Sequence, residues 1–184
     1  PRKNMRKMNG RPMISYSIEA VIKSKITDQM YVNTDSKEII DYVKKHYPVF
    51  QVYEREKELA DDKASSDDFN EDIINKLTPD VLVMVNPVCP LLGSDTIKSA
   101  SKKYSENDCD TLITSASTQM QTFCDNQPVN INLDGPLAPS QINPVVSILN
   151  WAVTIWDAKK FLNNIANDGY ASLGKDRLFF DISP

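Results

Sequence analysis

A nearly continuous apolar run, Val81 to Val85, constrains the fold of this chain more than any other stretch. Polar residues flank the run, with Asp80 before it and Asn86 after it. A strand that is buried on both faces has such a run, whereas a strand with one solvated face alternates apolar and polar residues. The run therefore predicts a central strand in a sheet that helices cover on both sides.

Strand-like and helix-like segments alternate before and after this run. The predicted helices span residues 12–24, 36–46, 67–77, 94–104 and 157–165, and the predicted strands span residues 29–33, 49–53, 80–86, 111–115, 147–156 and 177–184. This alternation is typical of parallel sheets with right-handed crossovers, which bind ligands at the carboxyl ends of their strands. We therefore expect an α/β fold, a Rossmann-like three-layer sandwich with a mostly parallel, doubly wound sheet.

Short polar patterns predict where several helices begin. A Ser or Asp side chain before the first turn can accept a backbone N–H bond, and an acidic residue three positions later can bond back. The expected caps are Ser65 or Ser66 with Asp68, Asp35 with Glu38, Ser94, and Asp157. His46 near the end of a helix is expected to complement the helix dipole rather than to catalyse.

Composition excludes several classes of protein. A length of 184 residues predicts one domain, and a net charge of −4 argues against a general nucleic-acid partner. No apolar run approaches the ~20 residues that a membrane span needs, so we expect no membrane partner. Cys89, Cys109 and Cys124 are too scattered for a metal ribbon, and their odd number favours reduced thiols in the cytoplasm.

A polar loop, residues 55–66, separates the strand predicted at 49–53 from the next helix. Loops at the carboxyl ends of α/β strands commonly carry the binding residues. Arg55 opens the loop, and its planar guanidinium can grip phosphate or carboxylate. Ser65 and Ser66 close it, either as a helix cap beside a solvated charge run or as ligand contacts, and the spacing leaves both open.

Three motifs, in this order, resemble the acylneuraminate cytidylyltransferases, which join a nine-carbon acidic sugar to CMP. The motifs are PRKNMRKMNGRPMI at residues 1–14, YVNTD at 31–35 and REKELADDKASS at 55–66. The resemblance implies a sheet of the nucleotide-diphospho-sugar transferase type. It also implies a Mg²⁺-dependent enzyme that transfers CMP from CTP to the anomeric hydroxyl of a sialic acid-like nonulosonate and releases pyrophosphate.

The same resemblance implies roles for individual residues. It gives Lys3 and Arg55 as catalytic residues; Lys3, Asn4, Arg55, Ser65, Ser66 and Asn86 as nucleotide-binding residues; and Asn150, Gln141 and Trp151 as sugar-binding residues. Asn86 also fits a turn before Pro87, and that alternative stays open. Core packing is expected for at least one of Trp151 and Trp156.

Several positions depart from the family pattern. Ser140 stands where the family has an arginine, and residues 119–150 contain no Lys or Arg at all. Trp151 replaces a glycine. The acceptor could therefore be another sugar acid or a sugar that is not acidic. A different class of function, a nucleotide-binding or assembly module without turnover, also stays open.

The family's metal motif is matched only in part. Asp181-Ile182-Ser183 resembles an Asp-Ile-Asp sequence that holds Mg²⁺, with one carboxylate missing. Asp181 is thus a weak metal candidate and fits a polar strand edge as well. We expect the family's first strand and its last segment to lie outside residues 1–184, and a measured mass equal to these residues alone would contradict this.

Residues 118–147 have no strong periodicity and include Asp134-Gly135, a predicted turn. In the resembled family this region holds the sugar and reaches toward a partner subunit. It is therefore expected to be a substrate and dimer-interface insertion of a homodimer. The product would feed surface glycan synthesis in a bacterium.

Overall fold

The computed structural model describes residues 3–61 and 63–182. Its helices are α1 (Met13–Ser24), α2 (Lys37–His46), α3 (Ser66–Leu77), α4 (Ser94–Ser105) and α5 (Ala158–Asp168). Its strands are β1 (Lys7–Met8), β2 (Arg11–Pro12), β3 (Tyr31–Thr34), β4 (Gln51–Glu54), β5 (Val81–Val85), β6 (Thr111–Thr118), β7 (Phe123–Cys124), β8 (Gln127–Pro128), β9 (Val146–Asp157) and β10 (Arg177–Asp181). Single 3-10 turns span Lys3–Met5, Lys57–Leu59 and Ser140–Ile142.

The main sheet has four strands in the order β10-β6-β9-β5. The predicted central position of the run at Val81–Val85 is wrong for the described residues, because β5 ends this order and Val81 is 41% exposed. An apolar run indicates that a strand is covered but not which strands flank it. β10 pairs in parallel with β6, and β9 runs antiparallel to both β6 and β5. β5, β6 and β10 therefore share one direction, and β9 opposes them. β3 and β4 form a separate parallel pair. The predicted α/β class with a mostly parallel, doubly wound sheet is confirmed.

Helices cover both faces of the main sheet. Neighbouring residues of β9 point to opposite faces, so they pack against different helices. Ile155 packs on one face in a cluster with residues of α1 and α4, and Trp156 packs on the other face with residues of α3 and α5. Trp156 is 1% exposed, and its indole N–H donates to the Ser172 carbonyl over 2.9 Å. Core packing of at least one tryptophan is thus confirmed.

A third apolar cluster holds the β3–β4 pair in place. It joins Val32 of β3 and Val43 of α2 to Ile14 and Ile18, which lie on α1. The same helix contributes Ala20 to the cluster under the main sheet. α1 therefore packs against both sheets.

Two of the predicted helix caps are confirmed. Ser65 accepts the Asp68 backbone N–H, and the Asp68 carboxylate accepts the Ser65 N–H over 2.7 Å, which makes a capping box before α3. Asp157 accepts the Lys160 N–H over 2.8 Å at the start of α5. Both caps lie within three residues of their partners, so the local sequence suffices to specify them.

Two other predicted caps are wrong. Ser36, not Asp35, is the N-cap of α2, and no side chain bonds the first-turn amides there. Gly93 is the N-cap of α4, and Ser94 is already helical. The pattern places the cap of α2 one residue too early and the cap of α4 one residue too late. Sequence patterns locate a helix end only to within one or two residues, because neighbouring short polar residues can serve as caps equally well.

β9 carries a large bulge opposite β6. Ile113 pairs with Thr154 while Ser115 pairs with Leu149, so residues 150–153 of β9 face a single residue, Thr114. Thr114 is fully buried, donates to Asn150 Oδ1 over 2.7 Å and accepts the Val153 N–H over 3.0 Å. The threonine hydroxyl therefore locks the bulge.

Buried amides, rather than charges, hold residues 119–145 between β6 and β9. Asn130 donates to the carbonyls of Met120 and Pro144, and Asn143 exchanges bonds with Gln119. The chain bends at 134–136, where the turn at Asp134-Gly135 is expected. A hairpin that the sequence reasoning missed joins β7 to β8.

In the described ranges, none of the helices is both long enough and apolar enough to cross a membrane. His46 is the last residue of α2, as expected, and its ring lies 4.6 Å from that of Tyr42.

Candidate functional site

Arg55 lies directly after β4, and neighbouring strand β3 holds its side chain. The Arg55 Nε donates to Asn33 Oδ1 over 2.9 Å, and Nη2 reaches the Asn33 carbonyl over 3.4 Å. The guanidinium lies over the ring of Phe69 from α3, with 4.5 Å between Cζ and the ring centroid. The side chain is therefore oriented before any ligand binds.

The charge of Arg55 has no ion-pair partner within the part of the chain that the structure describes. None of the ion pairs among residues 3–61 and 63–182 includes it. The side chain is partly buried, and this burial lowers the pKa of Arg55, while the more distant charge of Asp35 opposes the shift. A partly desolvated guanidinium with unused donors is suited to bind an anion.

A cavity of about 670 Å³ begins beside Arg55 and runs between the two sheets. Its walls are mostly apolar and include the facing edges of β3 and β5, Tyr31–Thr34 and Val81–Val85. Asn4 also lines it, and the buried Asn4 Oδ1 has no hydrogen-bond partner within the described residues. Two predicted nucleotide-binding residues, Asn4 and Arg55, thus line the same cavity.

Lys3, predicted to contact phosphate, precedes Asn4 in a single 3-10 turn that packs against α1. Its side chain is exposed. Its neighbour Asn4 lines the cavity, so the flexible ammonium of Lys3 is a candidate contact for an anion bound near Asn4. Pro1 and Arg2 of the same motif lie outside the described residues.

The two serines at the start of α3 already have partners. The Ser65 hydroxyl serves the capping box, and the Ser66 hydroxyl lies 2.9 Å from the Ser172 hydroxyl. Asp67 and Asp68 stand in the first turn, where they complement the positive end of the helix dipole. This helix end is therefore suited to neutral ligand groups rather than to a triphosphate.

Asn86 lies at the carboxyl end of β5, beside the bulge of β9. Its backbone N–H donates to the Ala152 carbonyl over 3.0 Å, and its Oδ1 accepts the Val88 N–H over 3.2 Å. The turn-forming reading of Asn86 is therefore confirmed. The structure joins Asn86 directly to the segment that carries two predicted sugar-binding residues, Asn150 and Trp151.

Asn150 and Trp151 form the centre of the bulge. Asn150 Oδ1 accepts bonds from the Thr114 hydroxyl over 2.7 Å and from the Ala152 N–H over 3.1 Å. Trp151 has a φ of 55°, in the left-handed region. Gln141, the third predicted sugar-binding residue, has an exposed side chain in the 3-10 turn, and its carbonyl accepts a bond from Gln119. These contacts of Gln141 do not connect Gln141 to Asn86.

The described residues do not form a magnesium site. Asp181 ends β10 in register with Ser115, and its Oδ1 accepts the Ser117 N–H over 3.3 Å, as a polar strand-edge residue does. No group of three or more His, Cys, Asp or Glu in the described ranges could hold a metal ion. Ser183, the last position of the partial metal motif, lies outside them. One engaged carboxylate does not fit Mg²⁺, which in proteins is held by carboxylates together with substrate phosphates and water.

Sequence reasoning missed three residues that shape the site. Asn33 and Phe69 orient Arg55, and Thr114 locks the bulge. Asn33 stands inside the YVNTD motif, so its place at a strand end was a usable signal. Phe69 and Thr114 had no signal, because their roles depend on contacts between distant segments.

The chain matches a family model described as Cytidylyltransferase over residues 1–136. It is 36% identical over 112 residues to a pseudaminic acid cytidylyltransferase of Campylobacter jejuni, which covers 58% of this chain and 48% of the relative. It is 32% identical over 116 residues to an N-acylneuraminate cytidylyltransferase of Streptococcus agalactiae, which covers 61% of this chain and 28% of the relative. The chain thus spans about half, or less, of the length of these relatives.

A longer match is weaker in sequence. The chain is 25% identical over 175 residues to a CMP-N,N'-diacetyllegionaminic acid synthase of Legionella pneumophila, which covers 89% of this chain and 75% of the relative. Among solved structures, a CMP:2-keto-3-deoxy-manno-octonic acid synthetase complexed with CTP has a TM-score of 0.67 at 10% identity and covers 99% of this chain and 83% of that one. The likeness to this structure supports the fold alone.

Proposed function

The chain belongs to the cytidylyltransferase family, and on that premise we propose that it transfers CMP from CTP to the anomeric hydroxyl of a sialic acid-like nonulosonate. The observation that carries this proposal is the Arg55 guanidinium, which is partly buried, lacks an ion-pair partner among the described residues and is oriented by Asn33 and Phe69. An anion bound there restores the electrostatic stabilisation that burial removes.

In the proposed reaction, the anomeric oxygen attacks the α-phosphorus of CTP in line. A new oxygen–phosphorus bond forms, the bond between the α- and β-phosphates breaks, and pyrophosphate and the hydroxyl proton leave. Positioning and charge neutralisation supply most of the catalysis in such transfers. A Ser-His-Asp or Cys-His group is therefore not required.

Each site residue has a place in this proposal. Arg55, which lines the cavity, and Lys3, which precedes the cavity-lining Asn4, hold the phosphates. The neutral parts of the nucleotide contact the other nucleotide-binding residues, Asn4, Ser65, Ser66 and Asn86. The sugar contacts Asn150, Gln141 and Trp151 in and beside the bulge.

Calorimetric titration of the full-length protein with CTP, ATP, GTP and UTP tests the nucleotide site. Arg55→Ala should weaken CTP binding by about 1.5–3 kcal/mol, the scale of a lost charge-assisted bond. Arg177→Ala is the matched control, because Arg177 starts β10 and donates to the Gly174 carbonyl over 2.7 Å. Equal effects of the two variants, or no preference for CTP, would contradict the proposal.

Magnesium dependence is proposed from the resemblance alone, and no step is assigned to the ion. The test is CTP titration with and without a chelator. Nucleotide affinity that does not change when the chelator is added would remove this part of the proposal.

We also propose that the protein is a homodimer that pairs through residues 119–145. This segment exposes large apolar side chains, Met120, Phe123, Val129, Leu133, Leu137, Ile142 and Val145. Contiguous exposed apolar surface of this kind commonly marks an interface. Ile142→Glu should shift the mass measured by light scattering toward the monomer, whereas Val49→Glu, on the distant β4 side, should not. A wild-type monomer would refute the dimer.

The domain assignment is proposed as well. Residues 1–184 form one nucleotidyltransferase domain, and a further strand pairs across the cavity with the edges of β3 and β5 that have no partner strand among the described residues. In the full-length protein, slow hydrogen exchange at the edge amides of Tyr31–Thr34 and Val81–Val85 would support this, and fast exchange would contradict it. Three free cysteines, Cys89, Cys109 and Cys124, support a cytoplasmic location, where the product would feed surface glycan synthesis.

An alternative function keeps the fold and removes turnover. The absence of Lys and Arg from residues 119–150 favours it, because an acidic sugar then lacks a local cation. Selective CTP binding without pyrophosphate release from any sugar acid would support a nucleotide-binding module instead of an enzyme.

A further inference from the structure

Trp151 has a backbone conformation that tryptophan rarely adopts. Its φ of 55° lies in the left-handed region, where the Cβ atom crowds the following carbonyl and where glycine has no such cost. Strained residues of this kind persist only where surrounding contacts enforce them, and they cluster at functional sites.

The bulge of β9 imposes the strain. Asn150 Oδ1 bonds to both the Thr114 hydroxyl and the Ala152 N–H, so the residues on either side of Trp151 are fixed. Val153 is fixed in turn by its bond to Thr114. Trp151 has no freedom to relax into an extended conformation without breaking this set of bonds.

Core packing does not account for the indole of Trp151. Trp151 belongs to none of the three apolar clusters that the described residues form, and its side chain is only partly buried. Trp156, five residues later, shows the contrast, because it is 1% exposed and packs with Phe161 at a centroid distance of 6.0 Å. The strain at Trp151 is thus not offset by burial in the core.

The location of the bulge relates Trp151 to the ligand edge of the sheet. Asn86, at the carboxyl end of β5, donates its N–H to Ala152, which follows Trp151. The neighbouring segment, residues 119–150, contains no cation. An apolar indole that follows a segment without cations is suited to neutral, apolar parts of a ligand rather than to a carboxylate.

We propose that Trp151 is a specificity-determining residue whose indole packs against the methyl of an N-acetyl group on the acceptor sugar. The inference rests on the proposed function, since the acceptor is the ligand in question. The bulge fixes the backbone that carries the indole. The methyl packs against the indole, which the three apolar clusters of the described residues leave without a partner.

Two forms of one sugar test this role. N,N'-diacetyllegionaminic acid and its N,N'-diformyl form differ only in the methyl groups and keep the amides. The full-length wild-type protein should favour the acetylated form about fourfold in kcat/KM, the value expected when one methyl group is buried. The preference should lie in KM, and Trp151→Gly should reduce it toward unity while Trp151→Phe retains most of it.

Two further readouts separate recognition from stability. The acetylated sugar should change the fluorescence of the wild-type protein but not of Trp151→Phe, in which Trp156 remains buried. The unfolding midpoint of Trp151→Gly should equal or exceed that of the wild type, since glycine relieves the strain. A midpoint that falls as far as that of Trp156→Gly would show that Trp151 is a core residue and would overturn the proposal.

The proposed function and this inference fail in different ways. A wild-type protein that does not bind CTP refutes the proposed function. A wild-type protein that binds CTP and processes both sugar forms equally overturns the role of Trp151, whereas one that binds CTP but processes no sugar acid refutes the proposed transfer.

Discussion

Replacing Thr114 by valine should destabilise the protein through hydrogen bonds alone. The two side chains have nearly the same shape, so no cavity forms. The Thr114 hydroxyl donates to Asn150 Oδ1 over 2.7 Å, lies 3.1 Å from the Val153 carbonyl and accepts the Val153 N–H over 3.0 Å. Thr114→Val removes these bonds and leaves the buried Val153 N–H without a partner.

The expected cost is about 2–4 kcal/mol, from roughly 1 kcal/mol for the lost bond to Asn150 and 1–3 kcal/mol for the Val153 N–H that is left unpaired. Thr154→Val is the matched control. Thr154 is equally buried in the same sheet, but its hydroxyl has no hydrogen-bond partner within the described residues. Burying an unpaired hydroxyl is unfavourable, so this variant should be neutral or stabilising by about 1 kcal/mol.

Urea unfolding of both variants and the wild type measures the difference. The slope with urea should stay constant, so the midpoints report the free energy of unfolding directly. Losses within about 0.5 kcal/mol of each other would show that burial of the threonines, and not the bulge contacts, sets their contribution.

Three further predictions concern caps, pH and the Arg55 environment. Ser65→Ala should lower the free energy of unfolding by about 1 kcal/mol and Ser65→Asp should not, as urea unfolding can show; equal losses would contradict the capping box. Burial alone would raise the pKa of Asp110, but bonds from the Lys175 N–H and the Asn164 amide lower its pKa overall. The resulting stability is present above the unfolded-state pKa of about 3.9 and is lost as pH falls through the folded pKa. Asp110→Asn should therefore destabilise the protein at neutral pH, and in thermal scans the difference in stability from the wild type should shrink below pH ~4. A difference that does not depend on pH would refute this. Phe69→Leu should weaken calorimetric CTP binding by about 0.5–1 kcal/mol, the value of a cation–π contact, and unchanged affinity would show that Phe69 does not support Arg55.

The sequence predicted those features that local chemistry decides. The apolar run at 81–85 forms a strand of the main sheet, although as its end strand in the described residues and not as the predicted central one, and the caps at Ser65 and Asp157 lie beside their partners in the chain. The direction of β9 was not predictable, because an antiparallel strand and a parallel one have the same apolar pattern when both faces are buried. Its bulge depends on Thr114, which lies 36 residues from Asn150.

The candidate site shows the same division. Arg55 was predicted from its place after a strand, and it lines the cavity. The positions of Asn33 and Phe69 around it follow from the pairing of β3 with β4 and from the packing of α3, which no local pattern encodes. The sequence left two roles open for Asn86, a ligand contact and a turn, and the bond from the Val88 N–H shows the turn.

The division of the strands into two sheets has a mechanical consequence for the site. Arg55 and Asn33 belong to the β3–β4 pair, whereas Asn86 and Trp151 belong to the main sheet, and no ladder of backbone bonds joins the two in the described residues. Helix α1 joins the two, with Ile14 and Ile18 in one apolar cluster and Ala20 in the other. Helix α3 joins them as well, because Phe69 contacts Arg55 while Ile73 and Ile74 pack with Trp156. The spacing between the two halves of the site therefore depends on how these two helices pack, and a change in either helix should be felt in both halves.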